Sequence, residues 1–336
     1  MSPATLNQIS RRSVVIAPDA PVLLSVMRNE ALRLPHFLSY YRSIGFDHFI
    51  IIDNDSTDGS IEFLLAQPDV FLFHTSDHFG AMPGAGLAWK HALLEMFCDG
   101  RWSLVVDADE ILIWPDAEAR DIRSLVRKLE SFGGEGLFTL MLDMYSDKPF
   151  GEIGYRPGEP FIDYAPYFDP GPFVFDKRSY CPFYEIWGGV RHRLYAGAGA
   201  AAGHPPTVSK VPLLRWRAGQ RFQSAQHFLA KPVAFSRLRG ALLHFKMFDD
   251  LPAKCENEVV HVEYYNQGQE YRVLREAIRN APGKSFYDPA ISRRYEGPSQ
   301  LVDLKLMRTF VKPNQNAFRP AGSTSGTAGP GAPSAA

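Results

Sequence analysis

Apolar positions recur along the first 145 residues with two alternating periods. Val22 to Met27, Phe49 to Ile52 and Val70 to His74 are near-continuous apolar runs, the pattern of strands buried on both faces. Between them the spacing changes to three and four. Leu34, Phe37, Leu38, Tyr41 and Ile44 share one face of a helix expected over Glu30 to Ile44, with Gly45 as its stop, and Leu87, Ala88, Ala92, Leu93 and Met96 do the same over Leu87 to Phe97. Ser60 to Gln67, closed by Pro68, reads as a shorter helix. The run Leu104 to Leu112, LVVDADEIL, reads as a fourth strand; Ile122, Leu125, Val126, Leu129 and Phe132 mark another helix, and Leu137 to Tyr145 another strand. Such alternation predicts an α/β fold with a mostly parallel sheet and flanking helices over residues 21–145.

After Ser146 the pattern loosens. As far as Tyr180 the chain is rich in Pro, Gly, Asp and aromatic residues without a period, which reads as long loops of the kind that cover a site. Val190 to Tyr195, Val211 to Trp216 and Ala241 to Lys246 read as further strands, and Asn257 to Asn280 as largely helical despite Gly268. The expected organisation is a flexible N-terminus (1–20), the α/β half (21–145), a loop-rich second half of the same domain (146–312), and a tail (313–336) whose Ala, Gly, Ser, Thr and Pro content predicts disorder.

Composition narrows the function classes. A chain of 336 residues, 45% hydrophobic and 13% aromatic, can bury a large core, which excludes a fibrous or mostly disordered protein. A net charge of -1 and a pI near 6.8 carry no basic footprint, so nucleic acid is not an expected partner and small molecules are. Cys98, Cys181 and Cys255 are odd in number and lack a CxxC pair, which argues against a disulfide framework or a zinc site and for a reducing cytoplasm. There is no apolar run of about 18 residues and no signal-peptide core near the start.

Two acidic clusters fall at the carboxyl ends of expected parallel strands, where α/β sheets bind ligands: Asp53, Asp55 and Asp58, and Asp107, Asp109 and Glu110. Three carboxylates within four residues at the end of an apolar run repel one another and lose hydration, so a cation, solvent or a counter-charge must compensate them. A solvated strand end with capping aspartates is one reading of Asp107 and Asp109. The other is a hard divalent ion, Mg²⁺ or Mn²⁺, held by carboxylate and phosphate oxygens. Asp53 to Ser60 likewise reads in part as a capped turn.

Taken together, SVMRNE, IIIDNDSTDGS and VVDADEIL, in this order and spacing from Leu23 to Trp114, resemble the nucleotide-sugar half of family 2-like glycosyltransferases with the GT-A fold. GGVRHRLY, SKVPLLRW and ALLHFK resemble the subgroup with a DxDE-type motif and extend a weaker likeness to about residue 250. The resemblance implies a GT-A-like sheet with a loop-rich C-terminal acceptor region. It also implies a metal-dependent, inverting transfer of a sugar from a nucleoside diphosphate donor, uridine first, to a glycan or lipid-linked hydroxyl. A lipid-linked acceptor would bring the protein to the inner face of a membrane as a peripheral protein. Carried over, Asp53 and Asn54 would lie by the nucleobase with Asn29 and Glu30 nearby. Asp107 would act at the ribose or a metal-bound water, and Asp109 would bind the metal. Asn54 replaces the second aspartate of the commoner DD pattern.

His244, at the end of ALLHFK, is the candidate second metal ligand, against the plain reading of a satisfied core histidine. Arg191, Arg193, Lys210 and Lys246 are candidate phosphate cations, against a solvated strand face. The family's late ED pair is absent; Glu185, in YEIWGG, is the nearest substitute as general base, with Asp143, Asp147, Asp163 and Asp169 as rivals. Tyr180, Phe183, Tyr184 and Trp187 surround it, as sugar-stacking or core residues. Gly188 and Gly189 suit a close backbone approach. Two other readings remain. DADEI approximates the nucleophile motif of haloacid-dehalogenase-like phosphohydrolases, with Asp107 as nucleophile, although that motif normally opens the fold. A non-catalytic nucleotide- or glycan-binding protein would keep the fold without turnover.

Overall fold

The computed structural model describes residues 6–79, 86–177, 184–199, 203–223, 227–261, 268–280 and 285–310; the expected disordered tail, Tyr180, Cys181 and Phe183 lie outside them. In chain order the first half runs β1 (Asn7–Gln8), β2 (Val22–Met27), α1 (Leu34–Ser43), β3 (Phe49–Asp53), α2 (Ser60–Leu65), β4 (Val70–His74), α3 (Leu87–Phe97), β5 (Trp102–Val105), β6 (Glu110–Ile113), α4 (Ile122–Ser131) and β7 (Gly136–Asp143). The second half adds α5 (Phe161–Tyr164), β8 (Tyr167–Phe168), β9 (Val174–Lys177), β10 (Tyr184–Trp187), α6 (Gly189–Ala198), β11 (Ser209–Arg215), β12 (Phe222–Gln223) and β13 (Phe228–Leu229). It closes with β14 (Phe235–His244), α7 (Leu251–His261), α8 (Gln269–Asn280), β15 (Arg293–Arg294) and α9 (Pro298–Asp303).

Nine strands form one sheet in the order β1-β4-β3-β2-β5-β11-β7-β14-β6. The neighbours β4, β3, β2 and β5 are parallel, as are β7 and β14, while β11 is antiparallel to both of its neighbours. Six strands therefore share a direction and β1, β11 and β6 oppose it. This is the expected α/β architecture with a mostly parallel sheet. The near-continuous apolar strands are explained by burial on both faces: Leu23, Ile51 and Leu72 pack with α1 and α4, whereas Leu24, Ile50 and Ile52 pack with α3. Among the described residues no helix is long and apolar enough to cross a membrane.

Several elements differ from the sequence expectation. LVVDADEIL is two strands. β5 lies inside the sheet and ends at Val105, and after a turn β6 runs back along the far edge, pairing Glu110 with His244 and Ile113 with Ala241. Val190 to Tyr195 is helix, because Val190 and Leu194 fall one helical turn apart and α6 packs against α8. The first helix begins at Leu34, with Pro35 in its first turn, so Glu30 stands in the preceding turn. Within the expected flexible start, Asn7 and Gln8 pair with His74 and Phe73 at the sheet edge. The helical stretch expected through Gly268 is α7 followed by α8, with Gly268 at a positive φ of 69° just before α8.

Candidate active site

The split of one apparent strand into two builds the site. The turn joining β5 to β6 crosses three intervening strands, β11, β7 and β14. Beneath it lie the first residues of β11, including Lys210, and the last residues of β7 and β14, Asp143 and His244. Residues distant in sequence thus converge on Asp107, Asp109 and Glu110, which line a cavity of about 690 Å³ that also reaches Asn54 and Glu185.

On one side the counter-charges are lysines. Lys210 Nζ lies 2.5 Å from Glu110 Oε1 and 3.3 Å from Asp107 Oδ2, and Lys90 Nζ on α3 lies 3.5 Å from Asp107 Oδ1. Glu110 Oε2 accepts the Asp107 backbone N–H at 3.0 Å, closing the turn. Burial raises the Asp107 carboxyl, but Lys210 and Lys90 outweigh it and hold it below the usual range. Glu110, more deeply enclosed, is raised by burial despite Lys210. Beside them the His227 ring donates from Nδ1 to Ser209 O at 2.7 Å, and burial followed by Lys210 pushes its pKa down to about 3.

On the other side the counter-charge is an imidazole. His244 Nε2 lies 3.3 Å from Asp109 Oδ2, and its Nδ1 lies 2.7 Å from Asp143 Oδ1. Asp143 is held in turn by Arg191 Nε at 2.8 Å; Arg191 also contacts Glu270, which receives Lys246 Nζ at 2.9 Å. Burial lowers the His244 pKa, yet Asp109 and Asp143 outweigh it and raise it to about 9. Asp109 falls far below the usual carboxylate range because His244 overcomes its burial. Arg191 NH2 is buried with no hydrogen-bond partner among the described residues. The Phe245 N–H donates to Asp109 O at 2.7 Å, fixing the turn to the end of β14.

Asp109 and His244 fit a divalent ion as a pair: two donor atoms face each other, and the outer ring nitrogen is anchored on a carboxylate, as second-shell orientation of a ligating imidazole requires. Among the described residues no group of three or more His, Cys, Asp and Glu side chains could hold a metal alone. Asp107 is already bridged by two lysines. An ion here would therefore be completed by substrate oxygens.

At the ends of β2 and β3, Asn54 lines the cavity and donates through Nδ2 to Thr75 O at 3.1 Å and Asp77 O at 2.9 Å. Asp53 turns inward: Oδ1 accepts the Ser56 N–H at 3.0 Å, and Oδ2 is buried without a partner among the described residues. Asn29, at a φ of 56°, braces the loop by accepting from Thr57 N at Oδ1 and donating its own backbone N–H to Ser56 Oγ. Glu30 lines the cavity but is engaged by Arg33 at 3.1 Å and Lys254 at 2.8 Å. The turn reading holds for Asp58, which accepts from Ala31 and Ser60.

Of the base candidates, Glu185 is the one on the cavity wall apart from its rivals. Asp143 and Asp169 are tied to Arg191 and Arg193, and Asp147 and Asp163 are exposed elsewhere. Arg193 accordingly serves Asp169 and lies away from the cavity, whereas Arg191, Lys210 and Lys246 line it. Sequence reasoning missed Lys90 and Glu270. Lys90 had a readable signal, a lone charge between Leu87 and Leu94 on the buried face of α3; Glu270 sits on a strongly amphipathic helix with nothing to mark it.

No family model matches the chain, and no curated protein sequence does. Among solved structures it is similar to 4-diphosphocytidyl-2C-methyl-D-erythritol synthase, at 17% identity over 53% of this chain and 80% of that one, with a TM-score of 0.28. It is also similar to HddC from Yersinia pseudotuberculosis, at 12% identity over 71% and 99% with a TM-score of 0.35. A third similarity is to the WbbM bifunctional glycosyltransferase, at 11% identity over 40% and 25% with a TM-score of 0.25. Similarities of this strength assign no activity to the chain.

Proposed function

We propose that the protein is a glycosyltransferase that moves a sugar from a nucleoside diphosphate donor, uridine first, to an acceptor hydroxyl with inversion. The observation that carries the reading is the D-x-D turn itself. It lies over the carboxyl ends of parallel strands and opens on one large cavity whose lining includes both Asn54 and Glu185. Asn54 keeps its side-chain oxygen for a base N–H, because both amide hydrogens are used on backbone carbonyls. Asp109 and His244 would hold Mn²⁺ or Mg²⁺, which when bound supplies charge neutralisation for the leaving diphosphate. Lys90 and Lys210 keep Asp107 ionised and fixed toward the ribose. Lys246 and Arg191 add positive charge to the same wall.

Glu185 takes the proton of the acceptor hydroxyl. As it does, the hydroxyl oxygen bonds to the anomeric carbon, the bond from that carbon to the diphosphate breaks, and the electron pair leaves on the diphosphate oxygen. The test is thermal unfolding against a panel of nucleoside diphosphates, with and without Mn²⁺, beside Asp109→Ala. A ligand at about 100 times its dissociation constant adds ~2.7 kcal/mol, a visible shift. The expected result is a shift with one nucleotide that needs the metal and disappears in the variant. A folded protein that gives no metal-dependent shift with any nucleotide overturns the donor site.

A further inference from the structure

The short strand β10 carries more chemistry than its length suggests. Side chains alternate along a strand, and Ile186, only 1% exposed, points into the main core, so Glu185 and Trp187 share the opposite face. Both are half-buried and both line the cavity. The strand is anchored rather than loose: Ile186 O accepts from Val208 N at 2.7 Å and from Thr207 Oγ1 at 3.1 Å, just before β11. Its other edge pairs with β9 in register, Trp187 opposite Val174.

The two glycines after Trp187 fix its direction. A Cβ at Gly188 would fall 2.1 Å from the Phe173 ring, so only glycine passes there. Gly189 then takes a positive φ of 71° and opens α6, whose Arg191 binds Asp143 beneath the D-x-D turn. The His204 ring, also on the cavity wall, lies 6.3 Å from the Trp187 ring, centroid to centroid. A carboxylate and an indole thus stand on one rigid strand face, about 6.6 Å apart along the backbone by strand geometry.

Resting on the transferase reading, we propose that β10 is the acceptor platform and that the acceptor is a pyranose. Trp187, with His204 beside it, covers the apolar C–H face of the sugar ring. Glu185, two residues earlier on the same face, meets a hydroxyl at that ring's edge. An indole offers a wide, rigid apolar plate at little entropic cost. A pyranose has one such face and hydroxyls at its rim, whereas a serine side chain or a bare lipid phosphate has no face to lay on the plate. The acceptor class is therefore set by Trp187, and Glu185 acts on the ring that Trp187 has oriented.

The test uses saturation-transfer NMR on the full chain with methyl pyranosides of glucose, galactose, mannose and N-acetylglucosamine. At least one should receive saturation on the C–H protons of a single ring face. Trp187→Phe should keep it, and Glu185→Gln should keep it while abolishing transfer. Trp187→Ala should bind that pyranoside about tenfold more weakly, the equivalent of ~1.4 kcal/mol, with its unfolding midpoint and its UDP-induced shift as in the unsubstituted protein. If Trp187→Ala lowers the midpoint, Trp187→Gln is read instead. No saturation on any pyranoside, or equal saturation without the indole, overturns the platform. Loss of the nucleotide shift with pyranoside binding intact would remove the donor site alone.

Discussion

The two aspartates of the D-x-D turn are two residues apart and have opposite surroundings. Asp107, its side chain 45% exposed, is flanked by two lysines, Lys90 and Lys210, whereas Asp109, 18% exposed, faces His244, which Asp143 and Arg191 support from behind. A lysine ammonium has three donors and no lone pair to offer an ion. An imidazole can give up its proton and present Nε2 instead, so the Asp109 side is the exchangeable one. A D-x-D pattern alone therefore does not say which carboxylate can take an ion; the partners decide, and they come from α3, α6, β7, β11 and β14.

The severest challenge to this contrast is removal of the permanent cation. Lys210 and Glu110 are both buried, 2% and 1% exposed. Lys210→Met leaves Glu110 without its partner, and stripping one member from a buried pair costs about 3–5 kcal/mol. Denaturant unfolding should show that loss, and Lys210→Met combined with Glu110→Gln should recover much of it, since the unpaired charge is gone. A single variant within about 1 kcal/mol of the unsubstituted protein would mean that the lysine side is not a closed ion cluster.

That cluster also shows where sequence reading reached its limit. The parallel strands and the first helices were legible because Val22 to Met27, Phe49 to Ile52 and the α1 face repeat with clean periods against a single core. Asp107, Asp109 and His244 were legible because each stands at the end of an apolar run. The break between β5 and β6 was not, since Val105 and Ile111 look alike in a string and only the sheet order separates them. For α6 the helical pair Val190 and Leu194 was present, but the alternating charges of Arg191 and Arg193 imitate a strand. Glu270 and Lys90 join the site through tertiary packing, which no local period records.

Elsewhere in the cavity lining the contrast between fixed and available groups extends to Asn54, which stands where the DD pattern has its second aspartate. Both of its amide hydrogens bind carbonyls, Thr75 O and Asp77 O, tying the end of β3 to the segment after β4. Asn54→Asp would face a carboxylate toward two carbonyl oxygens and forfeit both bonds. The loss should be about 2 kcal/mol of stability, within the range for leaving buried polar groups unsatisfied. Equal unfolding midpoints would show that the amide is not a tie and that the position tolerates either residue.

A milder effect separates the two imidazoles. His244, between carboxylates, is raised to about 9, and His227, buried beside Lys210, is lowered to about 3. A histidine whose folded pKa is depressed favours the fold above its unfolded pKa of about 6.5, and this contribution is lost as pH falls from there toward the folded value, because the unfolded chain takes up the proton first. His36 and His91, each lowered to about 4 by burial, act in the same direction, so acid lability by itself does not identify His227. His227→Gln isolates it: glutamine can still donate to Ser209 O but cannot be protonated. Between pH 6.5 and 5 the unsubstituted protein should lose about 2 kcal/mol more than the variant, at ~1.4 kcal/mol per pH unit. Parallel loss in the two proteins would place a proton on His227 in the folded state and overturn the lowering that its burial beside Lys210 implies.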